Sequence, residues 1–299
     1  MRCIAIGVLT AILLAPSTAS AWGFEAHKFI VARAIDILPE PLRPFFEANR
    51  AFIVERAIDP DLWRNAGFTE EPPNHFLDFD AYGKYPFADL PRNYDDALKK
   101  YGIDTLRQNG MVPWRTYEIA GRLVRGFEAL HKNGQYAESD IRFFSAIIGH
   151  YVADAHVPLH AVLNYNGQLT GQTGLHYRWE GELFVRNEKQ LVIKPAPLKR
   201  IANERDFIFE TLLESSQLAD DVLAADLKAI GSRDVYDDEY FATFFALTRP
   251  ILEKRLNDAI TAVASVITSA WEQAGKPTLP ATPKPRAPQR RRPADPAKP

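Results

Sequence analysis

Two short stretches carry side chains whose types and spacing could hold a metal ion. Residues 149–160 read Gly-His-Tyr-Val-Ala-Asp-Ala-His-Val-Pro-Leu-His, so His150 and Asp154 lie four apart, with His160 just beyond Pro158. Four residues is little more than one helical turn, which places both side chains on one helix face. Pro158 then ends the helix and lets His160 turn back. The second stretch, Leu-His-Tyr-Arg-Trp-Glu, repeats the spacing with His176 and Glu180. Imidazole nitrogen and carboxylate oxygen are ligands that fourfold zinc accepts. Either pair alone could equally be a surface hydrogen bond. Two such pairs with His160 between them are an arrangement that ordinary packing seldom produces.

Upstream lie Asp59-Pro-Asp61-Leu-Trp-Arg64 and Asn74-His75-Phe76-Leu-Asp78, and His27 stands in the first periodic segment. Residues 1–21 read as a secretory signal: Arg2, an apolar run from Ile4 to Leu14, and Ala19-Ser20-Ala21 at the cleavage position. The run is too short to span a bilayer. Cleavage would leave Trp22 first in the mature chain and export the protein, to the periplasm or outside the cell. The freed Trp22 amine, with an ordinary pKa of about 7.7–8.0, would be readily deprotonated by a metal and could chelate it together with its own carbonyl oxygen.

Helices must position these groups. His27, Ile30, Val31, Ala34, Ile35 and Leu38 share one face before Pro39, and similar periodicity runs through 42–58, 94–108, 115–133, 139–157, 203–230 and 238–274. No stretch alternates as a strand would. The expectation is one all-α domain over 22–276, with long functional loops at 60–93, rich in Pro, Asn, Asp and Gly, and at 163–175, dense in glycine. From 277 onward 8 of 23 residues are proline with basic residues between them, which predicts a disordered tail.

The only cysteine, Cys3, lies in the signal, so stability must come from core and metal. Of the net charge of −2, the signal carries +1 and residues 277–299 carry +5, which leaves 22–276 at −8. An acidic body argues against a tight, sequence-independent grip on long nucleic acid, which relies on Lys and Arg releasing counterions.

Taken in order, Trp22, His27, Asp61, the His75-Phe76-x-Asp78 unit, His150-x3-Asp154-x5-His160 and His176-x3-Glu180 resemble the zinc-dependent phospholipases C and the fungal-type single-strand-specific nucleases. The match covers 22–186. The resemblance implies three zinc ions around one cleft: the first on Asp61, His75, His150 and Asp154, the second on His160, His176 and Glu180, the third on Trp22, His27 and Asp154. Asp59 is the alternative to Asp61. Choosing Asp61 puts Arg64 three residues on, where the nucleases carry a phosphate-contacting arginine.

The implied chemistry is in-line attack on a phosphodiester by water that zinc has made acidic, with a bound pKa of about 7. Arg64 would offset charge on the phosphoryl oxygens, and no side-chain general base is needed. Phe76 and Asp78 match the base-stacking and base-bonding positions of the nucleases. Trp-Gly-x-x-x-His, Leu-His-x-x-Trp-Glu and Leu62 after Asp61 lean toward a nuclease acting on single-stranded nucleic acid. Glu180 in place of Asp, Ala161 after His160, and the absence of a Gly-Gly-Asn from 163–175 lean toward a phospholipase C acting on phospholipid. The main expectation is the nuclease, with the phospholipase C as the alternative and a secreted zinc-binding protein without turnover as the second alternative. Neither stable membrane insertion nor an obligate protein partner is expected. His131 reads as a solvated helix end, His156 as packing or support, and Trp63, Trp114, Trp179 and Trp271 as core or rim.

Overall fold

α7 (Ala137–Asp154) is the helix around which the others assemble, because its last three turns are buried on every side. Residues from Ser145 to Asp154 are buried without a break, which marks a helix enclosed by others rather than one lying on a surface. It is packed by α1 (Phe24–Asp36), α3 (Arg50–Arg56), α6 (Val112–His131) and α11 (Asp238–Gln273). α10 (Glu204–Ile230) closes the bundle against α6 and α11. This computed structural model describes residues 23–280, and among them there is no strand. The expected signal 1–21, Trp22 and the tail beyond 280 lie outside the described residues.

Two sequence expectations need correction. The segment 42–58 is two helices, α2 (Arg43–Ala48) and α3, broken at Asn49 with φ −115°. The Asn49 side chain rewards the break by donating to the Phe45 carbonyl and accepting from Arg142. The region 60–93 is not wholly loop either. Asp59-Pro-Asp61 begins α4 (Asp59–Asn65), where Pro60 sits in the first turn and its missing N–H costs nothing. Single 3₁₀ turns follow at Pro72–His75 and Phe79–Tyr82. α5 (Tyr94–Asn109) is interrupted at Gly102, whose φ of 75° favours glycine.

After the glycine loop come α8 (Leu175–Tyr177), a π-helical turn (Arg178–Glu182) and α9 (Leu183–Asn187). The chain then runs extended beside α11, where one row of side chains spaced four apart satisfies its backbone. Glu253, Asn257, Thr261, Ser265 and Ser269 accept the N–H groups of Val192, Lys194, Ala196, Lys199 and Ile201 at 2.6–3.0 Å. Pro195 and Pro197, which lack an N–H, fall between bonded residues.

Candidate metal centre

Seven elements bring the predicted donors among the described residues together. His27 comes from α1, Asp61 from α4, His75 from the first 3₁₀ turn, and His150 and Asp154 from the end of α7. His160 stands in the 3₁₀ turn Pro158–Ala161, and His176 and Glu180 on α8 and the π-turn. All eight are buried, at 0–5% exposure. Asp59, the alternative to Asp61, pairs instead with Arg56 at 3.4 Å.

The donors fall into overlapping groups whose ligand atoms lie within 4.8 Å of one another: His27, Asp61 and His150; His75, His150 and Asp154; His160, His176 and Glu180. His150 shares the first two, and its ring stacks on His27 with centroids 3.9 Å apart. Asp154 reaches toward every group: Oδ2 lies 3.0 Å from His75 Nδ1 and 3.2 Å from His150 Nε2. Its Oδ1 lies 3.3 Å from His27 Nε2 and 3.7 Å from His160 Nδ1. In the other group His176 Nε2 lies 2.7 Å from Glu180 Oε1 and 2.9 Å from His160 Nε2.

Proton placement makes these contacts informative. The His150 Nδ1 proton is donated to the Ala57 carbonyl at 2.8 Å, since a carbonyl can only accept. The opposite nitrogen, His150 Nε2, faces His75 Nδ1 3.0 Å away and the Asp154 carboxylate. Ring nitrogens and carboxylate oxygens converging in a dry pocket need positive charge among them, supplied by protons or by a metal ion. Both ring nitrogens of His27 and His160 Nδ1 are buried without a hydrogen-bond partner. The donor set therefore fits a divalent metal.

The titration of the groups expresses the same demand for positive charge. Burial opposes a charge on His75, yet hydrogen bonds to Asp154 and Glu71 hold its pKa up to about 9. Asp154 is buried, but the surrounding His150, His27 and His75 hold its carboxyl well below the usual range. His160 and His27 are pushed down, chiefly by burial and then by neighbouring imidazoles.

The fold resembles that of clostridial alpha-toxin. An alpha-toxin from an avian strain of Clostridium perfringens superposes with a TM-score of 0.51 at 13% identity, over 86% of this chain and 65% of that one. An alpha toxin from Clostridium absonum gives a TM-score of 0.49 at 14% identity, over 82% of this chain and 63% of that one. The chain thus spans just under two thirds of the length of either toxin. No family model matches the sequence and no curated protein matches it.

Beyond the donors, this alpha-toxin-like scaffold places Arg64 with Nη2 3.0 Å from Asp61 Oδ1. Phe76 is half-buried and Asp78 buried beside the His75 turn. The Leu77 N–H donates to the His160 carbonyl at 2.9 Å, which ties two donor segments together. Burial and the neighbouring Asp80 push Asp78 up to about 8, so at neutral pH its carboxyl carries a proton and can donate as well as accept.

One residue that sequence reasoning missed is Glu71. Its Oε1 faces His75 Nε2 at 3.5 Å and accepts from Tyr151, while Asn74 donates to Oε2 at 3.3 Å. A carboxylate behind a metal-binding histidine fixes the ring and raises its basicity. The signal was present, since Glu71 precedes His75 by four residues. His156 donates from Nδ1 to the Val152 carbonyl at 2.7 Å and stays apart from the donors, while His131 is exposed at the end of α6.

Proposed function

We propose that this chain is an exported zinc-dependent phosphodiester hydrolase, and that its substrate is a phospholipid cleaved in the manner of a phospholipase C. The carrying observation is the convergence of His75, His150 and Asp154, with the His150 tautomer fixed by Ala57, beside a second group of His160, His176 and Glu180. Three ions fit the proposal: one on Asp61, His75, His150 and Asp154, one on His160, His176 and Glu180, and one on His27 and Asp154 completed by the Trp22 terminus. When bound, zinc supplies a water acidic enough to lose its proton near neutral pH and positive charge for the departing oxygen.

The chain's own residues do the remaining work. Ala57 and Glu71 orient His150 and His75 from behind, so little reorganisation accompanies each turnover. Asp154 lies between both donor groups and holds them in register. Arg64, a fifth exposed, keeps its guanidinium beside Asp61 and is free to turn toward a phosphoryl oxygen, which it would bind in charge-assisted fashion.

The phospholipid reading is favoured over nucleic acid by the alpha-toxin-like backbone, by Ala161 after His160 and by Glu180 as the last donor. The nuclease reading keeps its support from Trp-Gly-x-x-x-His, from Leu-His-x-x-Trp-Glu and from Leu62 beside Asp61, 43% exposed. No helix among the described residues is long and apolar enough to cross a membrane.

Zinc-reconstituted protein beginning at Trp22 should be offered phosphatidylcholine vesicles, single-stranded DNA and RNA in parallel. Release of phosphocholine ahead of nucleotide products is the expected result. Faster nucleic-acid cleavage would transfer the assignment to the nuclease reading. Bound zinc with no hydrolysis of any substrate would leave a zinc-binding protein and overturn the enzyme.

A further inference from the structure

Arg178 lies between His176 and Glu180 in sequence and turns its back on both. Two helical residues are separated by about 200° around the axis, so when 176 and 180 face the donor group, 178 faces away. There it enters a polar knot sealed from solvent: Arg178 is 6% exposed, Gln172 2%, Asp226 and Tyr240 0%.

Within the knot Arg178 Nε donates to Asp226 Oδ1 at 3.2 Å and to the Tyr240 hydroxyl at 3.0 Å, and Nη2 donates to Asp226 Oδ1 at 3.0 Å. Tyr240 donates to the same carboxylate oxygen. Gln172 Nε2 donates to Asp226 Oδ2 and to the Leu223 carbonyl, both at 2.8 Å. Nη1 donates to the Thr173 carbonyl and Nη2 to the Gln172 carbonyl, both at 3.0 Å. The Tyr236 ring covers the guanidinium, its centroid 3.8 Å from Cζ. Asp226 of α10 and Tyr240 of α11 are thus tied to each other, to Gln172 in the glycine loop and to Arg178 in the turn that carries Glu180.

We propose that Asp226 is a positioning residue for the His160, His176 and Glu180 donor group, acting through Arg178. This inference rests on the metal-binding reading above. The π-turn packs Trp179 against Phe244 on its apolar side, and Arg178 gives it its polar anchor. Asp226 supplies the fixed point: it holds Arg178, and Arg178 in turn holds the carbonyls of 172 and 173 and the turn at 178. Helices α10 and α11, which contribute no donor, thereby brace the turn that carries Glu180 and follows His176.

The test is metal binding by apo protein. Zn²⁺ is titrated against a chromophoric chelator, Co²⁺ spectra report donor geometry, and His176→Ala identifies which bound equivalent belongs to this group. Asp226→Asn, with circular dichroism confirming the fold, should weaken that equivalent about 10- to 100-fold, the usual effect of removing an outer support, and alter its Co²⁺ spectrum. The other equivalents should keep their affinity. Tyr240→Phe, which removes one hydroxyl, should act in the same direction by a few-fold and covers the case in which Asp226→Asn fails to fold. Equal weakening of all equivalents, or unchanged binding in the folded variants, overturns the positioning role. A parent protein that binds no metal would instead overturn the metal-binding reading itself.

Discussion

Replacing Asp78 with asparagine will flatten the dependence of folding stability on pH. The carboxyl is 5% exposed, its Oδ1 is buried without a hydrogen-bond partner, and burial together with Asp80 pushes its pKa up to about 8. In the unfolded chain an aspartate titrates at about 3.9. Between those values the folded chain retains a proton that the unfolded chain has lost, so stability falls as pH rises. Below about pH 4 both states hold the proton and above about pH 8 neither does, which confines the slope to that window.

One proton corresponds to about 1.4 kcal/mol per pH unit, so a shift of about four units sets a ceiling of about 5–6 kcal/mol. Relaxation and water entry lower such ceilings for real buried carboxyls, and about 2–3 kcal/mol is the expected loss across the window. At this chain length that corresponds to about 4–12 °C in Tm. The assay is thermal melting of metal-free parent and Asp78→Asn by far-UV circular dichroism between about pH 5 and about pH 8 at constant ionic strength. Subtracting one curve from the other removes the titration of every other group. The variant should gain on the parent steadily as pH rises. A difference in Tm that stays constant across the range would refute the burial argument.

Four further outcomes are expected. Glu71→Gln, which removes the charge behind His75, should weaken metal binding about 10- to 100-fold in a chelator competition and, because it disturbs a buried hydrogen-bonded pair, lower apo stability by about 1–3 kcal/mol in thermal melting. Arg64→Ala should lower kcat on a phosphodiester about 10²- to 10³-fold with bound metal unchanged, read by steady-state kinetics alongside metal analysis. Gly110→Ala should cost about 2–4 kcal/mol in chemical denaturation, because its φ is 95° and a Cβ would come 2.1 Å from the Phe76 carbonyl oxygen. Protein carrying one extra residue ahead of Trp22 should bind one metal equivalent fewer than protein that begins at Trp22; equal stoichiometry would remove the terminus from the donor set.

The helices were legible because each donor helix carries its own period. His27 and its apolar neighbours on α1, and His150 with Asp154 on α7, read correctly from spacing alone. The site was legible for a related reason: metal donors are a rare residue class, and pairs four apart stand out against packing. What failed were places where one rule masked another. Pro60 read as a loop signal although a first helical turn accepts it, and Asn49 interrupts a periodic apolar run that gives no hint of a break. The polar row Glu253, Asn257, Thr261, Ser265 and Ser269 was invisible for a deeper reason. On a helix such a row looks like a solvated face, and only the extended segment at 192–201, remote in sequence, shows that it is an interior surface for backbone.

The same distinction between local and distant information separates the two donor groups. The His75, His150 and Asp154 group is fixed from helices of its own: His150 and Asp154 share one buried helix, the Ala57 carbonyl at the end of α3 sets one ring, and Glu71 faces the other from one turn away. The His160, His176 and Glu180 group hangs on a 3₁₀ turn and a short π-turn behind a glycine loop, elements too brief to hold their own orientation. The Arg178–Asp226 contact braces it from α10, beside Trp179 packed on Phe244 of α11. One group is therefore built on a buried helix while the other stands on turns attached to it, and loss of the Arg178–Asp226 contact should reach the second group before it reaches the first.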